Sequence, residues 1–175
     1  MQQELAKRGV FIDMPGESFR GPLPELTAEQ QQVRDRLRGD LHHLAGEICE
    51  RNLAHSEAYA RATQFLEDRM AAAGHKVRRQ VFQVKGRPCV NLEVEISGGA
   101  RAQEIIVIGA HYDSALGTAG ANDNGTGVVA VLALADLLKG HKPERTVRLV
   151  MFANEESPYF GTDAMGAFHD RFTSR

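Results

Sequence analysis

The spacing of apolar positions changes character partway along the chain. Val33, Leu37, Leu41 and Leu44 recur at intervals of three and four, which makes one stripe of an amphipathic helix. Thr27 followed by Gln30 is a capping-box pattern, so a helix is predicted over about 28–45. A second helix is predicted from Ser56, as N-cap, to about Ala73, with Gly74 where a terminating glycine belongs. Tyr59, Ala62, Leu66 and Met70, with Phe65 beside them, form its core face. From residue 76 the period drops to two. KVRRQVFQV (76–84) and VNLEVEI (90–96) read as strands, the second with Val90, Leu92, Val94 and Ile96 on one face. IIVIGA (105–110) is an unbroken apolar run, the pattern of a central strand covered on both faces. A helix over 126–139 closed by Gly140, a strand over 146–153 and a short helix over about 162–171 complete the series.

Strand, helix, strand from 105 to 153 predicts a right-handed crossover in a parallel part of a sheet. Sites in such sheets form beyond the carboxyl ends of the strands. Before this unit, residues 1–26 read as an extended arm, because PGESFRGPLPEL carries three prolines and two glycines. The remainder, 27–175, suits one domain.

Composition narrows the function classes. A net charge of −2 gives no pull toward nucleic acid or anionic lipid, and without Trp there is little for bases to stack on. The basic run KVRR (76–79) is short enough to be a solvated strand end. No apolar run is long enough to span a membrane, and the first residues lack the apolar core of a signal peptide. The chain as it stands is therefore expected in the cytoplasm, an export signal removed earlier being the other possibility. Cys49 and Cys89 match no metal or disulfide spacing and are expected as two separate buried or half-buried thiols.

The candidate chemistry lies at the rim. His111 and Asp113 follow one strand, Glu155 and Glu156 follow the next, and Asp123 precedes the helix between them. Imidazole nitrogen and carboxylate oxygen are usual zinc ligands, and a carboxylate can bridge two ions. Asp113 is spaced to orient His111 through its second ring nitrogen. Of two adjacent glutamates, one can bind metal while the other accepts a proton from water. Each residue also has a plain structural use. The His can end a strand, Asp123 can start a helix, and a Glu pair can face solvent. Their convergence on one rim favours a metal site.

HYDS, GANDNGTG and RTVRLVMFANEES resemble metallopeptidase family 28, the co-catalytic two-zinc aminopeptidases, whose relatives include glutamate carboxypeptidase II and glutaminyl cyclase. The resemblance covers about residues 27–175. It implies an α/β, three-layer α/β/α zinc exopeptidase fold with a mixed, largely parallel sheet. It also implies that His111 binds the first zinc, Asp123 bridges two zincs and Glu156 binds the second. Glu155 would be the general base and Asp113 the support of His111. A cis peptide at Asp123–Asn124 is implied as well. The expected activity is hydrolysis of a peptide bond in a peptide or small amide substrate.

The family pattern draws one more carboxylate and one more His from later loops, with no matching positions here. The expectation is therefore an incomplete domain, with two ligands per ion and an open sheet edge beside 105–110 that favours self-association. Two competing expectations follow: a catalytically inactive fragment acting by binding or self-association, and a glutaminyl cyclase-like transferase. His169 and Asp170 are the nearest substitute ligands, although a surface helix end accounts for them.

Overall fold

The computed structural model describes residues 16–17 and 19–169. Most of the expected arm, and the end of the last predicted helix with Asp170, lie outside them. The part of the arm at 19–26 is non-helical, with Phe19 and Leu23 exposed.

Thr27 opens the first helix as its pattern predicts. Its hydroxyl accepts from the Gln30 amide at 3.2 Å, and the Gln30 side chain accepts from the Thr27 amide at 2.9 Å. Helix α1 spans Ala28–Leu41 and continues as a π-helical segment, His42–Ile48. The predicted stripe is half-buried at Val33, Leu37 and Leu41 and becomes fully buried only at Leu44. Helix α2 covers Ser56–Ala72. Ser56 is its first residue rather than its cap, and no side chain caps this helix; Asn52 caps the short 3-10 turn Leu53–His55 before it, its Oδ1 accepting from the Ala54 and His55 amides at 3.0 and 3.3 Å. Gly74 ends the helix at φ +89°, a conformation that suits glycine.

The strands are β1 (Val77–Val84), β2 (Arg87–Ile96), β3 (Arg101–His111) and β4 (Arg145–Phe152). Helix α3 (Thr126–Leu137) links β3 to β4, and a short α4 (Gly166–His169) stands where a longer helix was expected. The sheet order is β1-β2-β4-β3. The β3/β4 pair is parallel and the other two pairs are antiparallel, so the architecture is α/β with a mixed sheet. Tyr59, Leu66 and Met70 of α2 and Val128, Val131 and Leu132 of α3 are buried with Leu92, Val94 and Leu149 of the sheet in one core.

Two strands exchange the environments that their patterns suggest. β2, read as half-buried, is covered on both faces. Asn91 and Glu93 are as inaccessible as Leu92 and Val94. β3, whose apolar run reads as central, has only β4 as a strand neighbour among the described residues, so the open edge expected beside 105–110 is present and Ile106 and Val107 are exposed. A central strand gains cover from two neighbours whatever its own polarity, whereas an edge strand is bare on one side. The polar residues of β2 are matched accordingly. Glu93 meets Arg78, and Asn91 donates to the Gly166 carbonyl at 2.8 Å while accepting from the Ala153 amide at 2.9 Å. The KVRR run is engaged in ion pairs, Arg78 with Glu93 and Glu95 and Arg79 with Glu67. Cys89 is buried as expected, but Cys49 is exposed, because it sits just past the π-helical segment with φ +67°.

Candidate metal centre

Parallel pairing sets His111 opposite Phe152, so β3 and β4 release their following loops side by side. The Tyr112 amide donates to the Phe152 carbonyl at 2.9 Å and extends the pairing one residue past His111. Tyr112 points into the core, stacks on Tyr59 at 5.2 Å and donates its hydroxyl to the Val90 carbonyl at 2.8 Å. Side chains alternate along a strand, so His111 and Asp113 lie on the side opposite Tyr112.

The long loop after β3 turns around Arg51, a side chain with no solvent exposure. Its Nε donates to the Tyr112 carbonyl at 2.6 Å, Nη1 to the Cys49 and Ala119 carbonyls at 3.0 and 2.6 Å, and Nη2 to the Gly120 carbonyl at 2.9 Å. Burial pushes its pKa down to about 10, while Asp113 opposes the shift, so the guanidinium stays charged at neutral pH. At Gly120, φ is +55° and an added Cβ would lie 2.6 Å from the Ser114 Cβ, so this turn requires glycine. The loop delivers Asp123 with a cis peptide to Asn124, as the resemblance implies.

Asp113 governs the second loop. It is buried, and its two oxygens accept the Glu155 and Glu156 amides, each at 3.0 Å. These bonds hold both glutamates at the end of β4. Asp113 Oδ1 also lies 3.5 Å from His111 Nδ1. That ring nitrogen is buried without a hydrogen bond, so Asp113 supports His111 by charge and contact and the two amides by hydrogen bonds.

His111 Nε2 lies 3.0 Å from Asp123 Oδ1 and 3.5 Å from Glu155 Oε2. Burial by itself would lower the His111 pKa, but Asp113, Glu155 and Asp123 outweigh it and raise the value to about 9. Burial, with Asp123 adding to it, holds the Glu156 carboxyl above its ordinary value, although His111 opposes the shift. One donor atom each from His111, Asp123 and Glu156 lies within 4.8 Å of the others. This nitrogen and oxygen set, crowded around a charged imidazole, suits a divalent zinc ion that would replace the ring proton.

All five residues singled out from sequence meet at this rim. His169 does not: it stacks on Phe82 of β1 at 4.1 Å. Sequence reasoning missed Arg51 and Asn154. The Asn154 Oδ1 accepts from the Tyr59 hydroxyl at 3.2 Å, immediately before the Glu pair. Neither residue carries a local signal, since most of their partners lie far along the chain.

A sequence profile of Peptidase family M28 matches residues 91–173. Protein YfbL of Escherichia coli K12 is 31% identical over 141 residues, covering 76% of this chain and 43% of that protein. Leupeptin-inactivating enzyme 1 of Streptomyces exfoliatus is 33% identical over 114 residues, covering 63% of this chain and 26% of that enzyme. The chain thus spans less than half the length of these relatives. Among solved structures, a zinc aminopeptidase from Bacillus subtilis superposes with a TM-score of 0.64 at 12% identity, over 69% of this chain and 61% of that one. Porphyromonas gingivalis glutaminyl cyclase superposes with a TM-score of 0.65 at 21% identity, over 81% and 52%. The matched segment contains β3, β4, both loops and every donor of the cluster, and through it the chain belongs to peptidase family M28.

Proposed function

We propose that this chain carries the zinc-binding and proton-transfer part of an exopeptidase of the aminopeptidase type. The observation that carries the reading is the convergence of His111, Asp123 and Glu156 donor atoms within 4.8 Å, with Glu155 beside them. Zinc held there would polarise the scissile carbonyl and make water nucleophilic near neutral pH. Glu155 is not among the three converging donors and lies 3.5 Å from His111, so its carboxylate is placed to take a proton from the attacking water. It then returns that proton to the leaving amine. Asp113 keeps Glu155 and Glu156 on station through their amides. Three donors match the number that typically hold a catalytic zinc. Were a second ion held as well, as the family resemblance implies, Asp123 would serve both ions and each would keep two of these donors.

Two measurements test this. Zinc per chain after dialysis is expected at one or two in the native sequence and near zero in His111→Ala. Release of the N-terminal residue from a peptide is expected to need zinc and to fall at least about 100-fold in Glu155→Gln, the loss of a general base. Zinc bound with no hydrolysis would favour a binding role. Pyroglutamate formed from N-terminal Gln peptides would favour the glutaminyl cyclase reading, which the likeness to the Porphyromonas gingivalis fold supports.

A further inference from the structure

Helix α2 reaches both arms of the rim through a single side chain. Tyr59 is buried. Its ring stacks on Tyr112 at 5.2 Å, and Tyr112 is the residue between His111 and Asp113. Its hydroxyl donates to Asn154 Oδ1 at 3.2 Å, and Asn154 is the residue before Glu155. One turn further along the helix, the Thr63 hydroxyl lies 3.0 Å from that of Tyr112. The family profile matches from residue 91 onward, so this support comes from outside the matched segment.

Asn154 is where the chain turns from β4 into the glutamate pair. It is buried, and its backbone is left-handed at φ +56°, a conformation that Asn adopts more readily than most side chains. Its Nδ2 donates to Cys89 Sγ at 3.0 Å and to the Ala164 carbonyl at 3.4 Å, while Oδ1 takes the Tyr59 hydroxyl. Both ends of the amide are therefore engaged, which fixes its orientation. The flanking residues are held by other means. The Ala153 amide donates to Asn91 Oδ1 at 2.9 Å, and the Glu155 and Glu156 amides go to Asp113. Of these ties, the one from Asn154 to Tyr59 is the one that runs to a helix outside the sheet. Without the hydroxyl, the buried Oδ1 loses its bond, and the turn is free to relax away from the left-handed conformation. Such a relaxation would carry both glutamate amides off Asp113.

We infer that Tyr59 is a positioning residue for the metal centre: acting through Asn154, it fixes the turn that aims Glu155 and Glu156 at the rim. The inference rests on the metal-site reading and names a residue on which that site depends. Tyr59→Phe tests it, since the ring and its stacking stay and only the hydroxyl goes. In the metal-free full chain, amide hydrogen exchange at Glu155 and Glu156 is expected to quicken at least about tenfold relative to the Val147 and Leu149 amides of β4, the mark of a local opening. Zinc affinity, read by competition with a chelator, is expected to fall about tenfold, the lower end for residues that support a metal ligand. Asn154→Gly permits the left-handed backbone and removes the amide, so it should reproduce both changes. Leu66→Val takes one methylene from a fully buried residue of the same helix and reports a loss of stability alone. It should leave the exchange ratio and the zinc affinity at their native values. An unchanged exchange ratio in Tyr59→Phe, or a native zinc affinity in that variant, would overturn the inference. Zinc in the native chain is measured separately. If it holds none and the glutamate amides still quicken in Tyr59→Phe, the metal reading falls and the hold of Tyr59 on the pair stands.

Discussion

The loop after β3 is gripped through its carbonyls, and the loop after β4 through its amides. In the first, the buried Arg51 cation donates to the Tyr112, Ala119 and Gly120 carbonyls. In the second, the buried Asp113 carboxylate accepts the Glu155 and Glu156 amides. Each charge is satisfied by backbone, so it leaves the functional side chains of its loop free. The grips differ in position. The Arg51 side chain bonds backbone carbonyls and none of the donor side chains. Asp113 sits beneath the cluster and touches His111. Arg51 therefore acts through the shape of one loop, while Asp113 acts on both the second loop and the imidazole.

That contrast breaks first at Arg51. Arg51→Leu leaves several buried carbonyls without donors and is expected to cost about 3–5 kcal/mol in urea unfolding. Arg51→Lys keeps the charge but loses the fork, so it should recover only part of that loss. A change below about 1 kcal/mol would mean that the loop holds its own shape.

Asp113→Asn should separate the two grips most clearly. It is expected to cost about 1–3 kcal/mol in stability by weakening the amide bonds. Zinc affinity, followed by competition with a chelator, should fall about 10–100-fold, because the support of a ligating His is weakened. Equal losses of zinc affinity in Arg51→Lys and Asp113→Asn would erase the distinction.

The gentlest perturbation is a change of pH. In metal-free protein the His111 pKa is raised to about 9, above the ordinary value of 6.5. A raised pKa contributes stability that is full below about 6.5 and is lost as pH rises through about 9. Metal-free Tm, compared with His111→Gln, should therefore fall over that window. Zinc affinity should rise over the same window by about tenfold per pH unit, since one ring proton is displaced. A flat difference between the two proteins would place the imidazolium outside the carboxylate cluster.

Much of the fold was readable where the cause lies within a few residues. The Thr27 capping box and the glycine after α2 depend on neighbours in sequence, and both are present; the alternation in β2 marks a strand but not its burial, since Asn91 and Glu93 are buried as well. The meeting of the candidate residues was readable for a related reason. His111 and Asp113 end one strand and Glu155 and Glu156 follow another, so a parallel crossover brings them together. Arg51 was not readable, because three of the four carbonyls its side chain binds lie 61 to 69 residues away along the chain. The hold on Asn154 was equally hidden, since Tyr59, Cys89 and Asn154 meet only when three segments converge.

By itself the sequence determined the element types, the crossover and the residue types gathered at the rim, because those follow from local periodicity and side-chain chemistry. Only the tertiary structure decided that the polar positions of β2 are covered along with its apolar ones. It also decided that Asp113 binds two amides more closely than it binds His111, and that Arg51 shapes the loop that carries Asp123. The physical reason is common to all three. Burial and hydrogen-bond satisfaction are properties of neighbours in space, and in this chain the deciding neighbours are distant in sequence.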